Sequence, residues 1–496
     1  MKEVLLAGIL LLLCVGVWAQ PIQNYVDRPE EVYGWEVERI ETVGTAEIVH
    51  LKVTSQTWRD IVWTHRVQLI VPEECDYPET ALMLITGGSA SASELLMLTS
   101  AATMVSAPMV VLGDIPNQPL FDGLTEDALI ALTFSNYLET GEEDWPLLFP
   151  MTKAAVAAMD AVEDYTSGEW ESPINSWVTT GGSKRGWTTW FTGAVVPERL
   201  KGIVPMVYDN LNLPAQMQQH LDAWGEYSAM IHDYTERGLP DMLTTEEGRE
   251  LGAIVDPYTL RHRIDIPQFT ISGTNDEYWP LDAANLYWDD LVGTNFILYV
   301  PNAGHGIPDM ERVINAQVGF FLAATGRDPL PDPSWEFEDT GYLRLTVDPG
   351  DVLPVTRVTQ WTAHAPTRDF RPVEWTERPA LEHRGRYIAR AHYPEEGYTA
   401  IFAEIVYEVD GREFPLSTNV RIISSEDADR LGALPHESSD ESAALAGHVD
   451  SDAGGVSAGL APAGFIIAGL VATVAGAAVF IRKRALNEKK PGHSPA

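Results

Sequence analysis

One serine constrains this chain more than any other residue. The apolar run Trp177-Val178-Thr179-Thr180 breaks into Gly181-Gly182-Ser183-Lys184-Arg185-Gly186-Trp187, so a strand-like segment ends in a turn of small residues with a hydroxyl near its tip. Downstream, Gly273-Thr274-Asn275-Asp276 and Asn302-Ala303-Gly304-His305-Gly306 each follow another apolar run, at 268–272 and 296–300. A serine hydroxyl is a poor nucleophile until a base takes its proton, and the base needs a carboxylate to orient it. Ser183, Asp276 and His305 are therefore the candidate nucleophile, orienting acid and general base.

The order serine, aspartate, histidine, each just past a strand, is the order that α/β-hydrolases use. The turn departs from the G-x-S-x-G pattern, because Arg185 stands two places after the serine and the next glycine is Gly186. A Gly-Gly-Ser turn can also be an anion-binding strand-to-helix loop. Glu277 and Asp282 compete for the acid role, and the Gly-x-x-Asp arrangement directly after a strand favours Asp276. A tetrahedral oxyanion needs fixed donors, one from the residue after the nucleophile and one from an earlier Gly-rich loop; Lys184 and the Gly87-Gly88 segment occupy those places. Arg185, Trp187 and Trp224 are the candidates to touch substrate. Lys184 and Arg185 either favour an anionic substrate, stabilise the oxyanion or pair with acidic residues beside the helix, and the sequence leaves these readings open.

Strand-like runs alternate with helical ones. Short alternating runs between 36 and 71 read as antiparallel strands, and 81–85, 109–112, 177–180, 202–207, 268–272 and 296–300 read as buried strands, with a helix over 151–165. This pattern predicts a mostly parallel sheet covered on both faces. About sixty residues separate the strand ending at Val207 from the one beginning near Gln268. Their helical pattern, with Met217, His220, Trp224 and Tyr227 at spacings of three and four over 216–234, predicts a cap over the site, about 208–265. The expected domains are a leader at 1–19, an α/β-hydrolase domain at 20–330 and a β-sandwich at 331–424. Period-two alternation at Leu343, Leu345 and Val347 and again from Ile401 to Val409 supports the sandwich. A Ser-, Asp-, Glu-, Ala- and Gly-rich stretch at 425–460 is too poor in large apolar groups to build a core and reads as a flexible linker.

Both ends carry membrane-related signals. Lys2, the apolar run from Val4 to Val17 and Val17-Trp18-Ala19 have the form of a cleaved export signal. Residues 463–481 are 19 without a charge, followed at once by Arg482-Lys483-Arg484. A transmembrane helix at 461–481 and a cytoplasmic basic tail at 482–496 are expected, with the folded domains outside the cell. The net charge of −39 argues against a nucleic-acid partner. Cys14 falls in the leader and Cys75 would be alone in the mature chain, so no internal disulfide is expected. Neither a metal nor another cofactor is called for by the motifs.

With these residues in view, the chain resembles the PhoPQ-activated pathogenicity-related protein family over about 23–424. The resemblance rests on Thr54-Ser55-Gln56-Thr57-Trp58, on Gly182 through Trp190, on Asp209-Asn210-Leu211-Asn212 and on Asp256-Pro257-Tyr258. It continues through Gly273 to Asp276, Pro301 to His305, and Arg368-Asp369-Phe370-Arg371 with Trp375. It implies an α/β-hydrolase with a C-terminal β-domain and a serine, aspartate and histidine at Ser183, Asp276 and His305. The Ser-Lys-Arg-Gly turn is also similar to that of glucuronoyl esterases, which carry a basic residue after the nucleophile. The expected activity is hydrolysis of an ester or amide in a small-molecule, peptide or envelope substrate. The alternative is a non-catalytic surface protein that uses the same scaffold for binding or signalling.

Overall fold

The computed structural model describes residues 21–431. The expected leader, the linker beyond Leu431, the 461–481 segment and the basic tail lie outside the described residues. Among the described residues no helix is long and apolar enough to cross a membrane. The first residues assigned to the linker form a short helix, Ser425–Leu431.

Ala46–Trp58 and Ile61–Val71 pair as a hairpin whose two turn residues, Arg59 and Asp60, have φ of 49° and 61°, the left-handed pair that a tight hairpin turn requires. Beyond it the sheet runs Met109–Leu112, Thr80–Ile85, Ser176–Gly182, Leu200–Met206, Gln268–Gly273 and Asn295–Val300, with Gly34–Val43 at the opposite edge. Met109–Leu112 is antiparallel to the hairpin, and from there onward these strands are parallel. Met109–Leu112 and Gln268–Gly273 are buried along their whole length, on both faces, as a covered parallel sheet demands. Leu148–Glu169 and Lys184–Val195 pack in one core cluster, while Ala92–Val105 and Met310–Ala324 pack in another.

Leu148–Glu169 extends the expected helix at both ends, and its buried alanines at 154, 155, 158 and 161 let it lie close to its neighbours. Gln56 fastens it: Tyr25 donates to Gln56 Oε1 at 2.8 Å, and Gln56 Nε2 donates to the Pro150 carbonyl at 2.8 Å. Three residues of the 54–58 motif thus have structural work, since Ser55 bonds buried His65 and Trp58 donates to the Asp144 carbonyl.

The cap is helical but more broken than its periodicity predicts. The helix expected over 216–234 is Leu213–Trp224, stopped by Gly225 in the left-handed conformation at φ 75°. Short turns follow, then Glu246–Val255. Asp256 ties the two ends of the cap together, accepting from the Leu213 amide at 2.7 Å and the Tyr258 amide at 3.0 Å.

After 331 the chain forms two facing sheets. Ser334–Asp339, Leu343–Asp348, Arg386–Ala391 and Leu381–His383 make one. The other contains Val355–Ala365, Tyr398–Val409 and Arg412–Ser417, and it is continuous with the main sheet: Ser417 pairs with Ile297, and its hydroxyl accepts from the Tyr299 amide. Leu343, Leu345, Ile405 and Tyr407 share a core cluster with Phe269 and Phe320 of the first domain. The sandwich is therefore joined to the main sheet edge to edge.

Candidate active site

Ser183 stands between the strand Ser176–Gly182 and the helix Lys184–Val195 with φ 57° and ψ −122°. A non-glycine residue held there stores about 1–3 kcal/mol of strain, which the surroundings must offset. The neighbouring glycines make the crossing possible. A Cβ on Gly181 would lie 2.7 Å from the Arg185 carbonyl oxygen, and one on Gly186 would lie 2.8 Å from that of Met206. Gly186 thus provides close approach at the third position after the serine, and Arg185 at the second is tolerated because its side chain turns away.

The three expected residues come together. His305 Nε2 is 3.0 Å from Ser183 Oγ, and His305 Nδ1 is 2.9 Å and 3.1 Å from the two oxygens of Asp276. Asp276 and His305 are both buried. The two loops touch because Gly273 lacks a side chain: a Cβ there would be 2.3 Å from the Ala303 carbonyl oxygen. Tyr278 lies along the imidazole with ring centroids 4.0 Å apart. The rival acids are otherwise engaged. Glu277 accepts the backbone N–H of His305 at 2.8 Å, and Asp282 pairs with Arg368 and Gln219.

Of the readings left open for the basic residues, the structure shows the pairing with acidic side chains. Lys184 Nζ is 2.8 Å from Asp127, which also accepts from Tyr234. Arg185 grips Glu126 with both terminal nitrogens at 2.7 Å and donates from Nε to the Ile115 carbonyl at 2.6 Å. Burial works to raise the Glu126 carboxyl, but Arg185 and Lys184 outweigh it and hold it at about 2. Arg185, expected on the substrate side, is buried against Gly87, where a Cβ would meet its guanidinium at 2.3 Å. Gly87 and Gly88 line a recess with Gly182 and Arg185, separate from the pocket that Ser183 opens into.

That pocket encloses about 730 Å³ of space, its mouth included. Phe134, Trp187 and Trp279 line it, together with cap residues that include Leu213, Met217, Ile231, Leu239, Leu243 and Leu251. Ser183 and Lys184 reach it, and the backbone amide of Lys184 lies in the first turn of its helix, where the helix itself supplies no acceptor, next to Ser183. Trp187 lies in the lining as expected. Trp224 does not: its ring packs on His220 and under the Arg371 guanidinium, 3.9 Å away. Sequence reasoning assigned no role to Glu126, Asp127 or Tyr278, since an acidic pair and a lone tyrosine carry no local pattern that points to Ser183. Among the described residues no cluster of His, Cys, Asp and Glu could hold a metal ion.

Solved structures similar to this chain include acetyl xylan esterase 1 from Thermoanaerobacterium sp. JW/SL YS485, 14% identical with a TM-score of 0.41 over 57% of this chain and 87% of that one. An acetyl xylan esterase from Paenibacillus sp. R4 is likewise 14% identical, with a TM-score of 0.42 over 60% of this chain and 90% of that one. Autocrine proliferation repressor protein A of Dictyostelium discoideum is 32% identical over 448 residues, covering 81% of this chain and 89% of that protein. The sequence model of the PhoPQ-activated pathogenicity-related proteins matches residues 22–371, and the chain belongs to that family.

Proposed function

We propose that this chain is an exported, membrane-tethered serine hydrolase that cleaves an ester or amide bearing an apolar group. The observation that carries the reading is the hydrogen-bonded line Asp276–His305–Ser183 at the mouth of an apolar pocket. His305 Nε2 takes the Ser183 proton as Oγ attacks the carbonyl, while Asp276 holds the other ring nitrogen. The Lys184 amide is one donor to the oxyanion, and the Gly87-Gly88 segment, adjoining through Gly182, is the proposed second. His305 then protonates the leaving group, and water releases the acyl group from Ser183 by the same steps in reverse. Because Lys184 and Arg185 are already paired, an apolar substrate fits this site better than an anionic one. Export and tethering rest on the 1–19 and 461–484 sequence signals.

A second reading has its own support. A relative 32% identical to this chain is named as a repressor of autocrine proliferation, which fits a protein that signals by binding. A fluorophosphonate probe separates the two, because only an activated serine reacts. Wild type should label, and Ser183→Ala should not label while melting at the same temperature. Folded wild type that never labels overturns the hydrolase reading in favour of the binding one.

A further inference from the structure

The loop 366–375, between the strands Val355–Ala365 and Thr376–Pro379 of the β-domain, reaches across to both loops that carry the proton-handling pair. Asn275, next to Asp276, spends its side-chain amide on three carbonyls of this loop: Phe370 at 3.1 Å, Arg371 at 3.1 Å and Val373 at 2.7 Å. Asn302, three residues before His305, pairs reciprocally with the Trp375 backbone, donating to its carbonyl at 3.1 Å and accepting from its amide at 2.7 Å. The loop is itself rigidly seated. Phe370 and Trp375 are buried, and the Trp375 ring packs on Phe402 of the central β-domain strand, 5.2 Å away. Two arginines of the same loop hold the cap: Arg371 lies over Trp224, and Arg368 pairs with Asp282, which also accepts from Gln219 on the first cap helix.

The two N–H groups of one side-chain amide, shared among three carbonyls, fix that side chain in position and orientation, and loops so fixed cannot drift independently. We propose that loop 366–375 positions Asp276 and His305 and latches the cap, so that the β-domain is a working part of the catalytic site and Asn275 and Asn302 are positioning residues. The proposal rests on the serine-hydrolase reading above. It also assigns a role to the Arg368–Arg371 and Trp375 motif, which lies far along the chain from the triad.

The test uses the full chain and a short-chain ester, with active sites titrated by fluorophosphonate so that rates refer to folded protein. Asn302→Gly keeps the left-handed backbone at 302, where φ is 57°, and removes only the side-chain bonds. Asn275→Ala severs the other tie. Each should lower kcat per titrated site by about 10- to 100-fold, the effect of a small misplacement of reacting groups, with KM little changed and probe labelling slowed in parallel. Arg371→Met should instead raise KM, because it frees the cap and leaves the triad ties in place. Variants that melt earlier but keep wild-type kcat per titrated site overturn the proposal and leave a structural brace. Wild type that does not label removes the hydrolase reading first and the proposal with it.

Discussion

Ser183 is held from close by: its amide donates to the Met206 carbonyl at 2.9 Å, glycines two before and three after it close the crossing, and its helix begins at the next residue. The loops of Asp276 and His305 bond to each other, the His305 amide donating to Glu277, and are held from far away as well. Their neighbours Asn275 and Asn302 bond to residues 73 to 98 positions later, in a different domain. The Ser183 turn is thus a local, strained structure that a strand and a helix can enforce, whereas the two loops that carry Asp276 and His305 bond to each other and are braced a second time by another domain. The difference teaches that damage on the two sides should look different: destabilisation on the serine side and misalignment on the histidine side.

The largest expected effect lies on the histidine side. Asp276→Asn keeps the shape but lets the imidazole adopt the wrong tautomer, and kcat should fall by about 10⁴-fold with little change in melting temperature. A loss below tenfold would mean that another group, with Glu277 the nearest candidate, orients His305. On the serine side Glu126→Gln removes the partner of Arg185. Because Glu126 keeps 35% exposure, the expected loss is about 1–3 kcal/mol, less than for a fully buried pair. Its carboxyl sits at about 2 in the folded chain against an ordinary 4.5. The unfolded chain therefore takes up the proton first, so this stabilisation is complete above about pH 4.5 and is lost as pH falls towards 2. Melting curves of wild type and Glu126→Gln should converge over that interval; a gap that stays constant would deny Glu126 the role.

Much of this contrast was legible in the residues. The apolar runs predict each central strand because a strand buried on both faces shows no alternation, and Ser183, Asp276 and His305 follow from their places after those runs. The helix that contains 151–165 is visible from its alanines. What the sequence hid was mostly between segments: the acidic partners of Lys184 and Arg185, the edge-to-edge joining of the β-domain through Ser417, and the tie from Asn275 to 370–373. Such contacts depend on how loops meet in space, and neither periodicity nor turn chemistry encodes it. Trp224 shows the same limit, since helical spacing puts it on the cap but cannot say that Arg371 covers it.

The pocket offers a gentler probe of the serine side. Leu251 comes from the cap and lines the space beyond Ser183. Leu251→Trp should fill part of it and lower kcat/KM for a long-chain acyl ester by about tenfold, the value of one or two methylene contacts, while an acetyl ester is unaffected. Equal losses on both esters would place the acyl group elsewhere.

The smallest effect expected concerns the joint between the two sides. His220, on the first cap helix, accepts the Ser228 amide through Nδ1 at 3.2 Å, and the Ser228 hydroxyl donates to the Glu277 carbonyl at 2.6 Å, one residue from Asp276. Burial, aided by the positive charge of Arg371, lowers the His220 imidazole to about 4, so it is neutral in the folded chain and able to accept. The ordinary value is 6.5. Between these values the unfolded chain binds the proton and the folded one does not, so the contribution is whole above about pH 6.5 and fades as pH falls to 4. His220→Gln carries an acceptor but no titrating group and should lack this dependence. The melting temperature of wild type relative to that variant should therefore drop by about 1–2 °C on going from pH 7 to about pH 5.5, the response expected for a change near 1 kcal/mol. A parallel pair of melting curves would show that the joint does not depend on a neutral His220, and would leave loop 366–375 as what couples the cap to the acid loop.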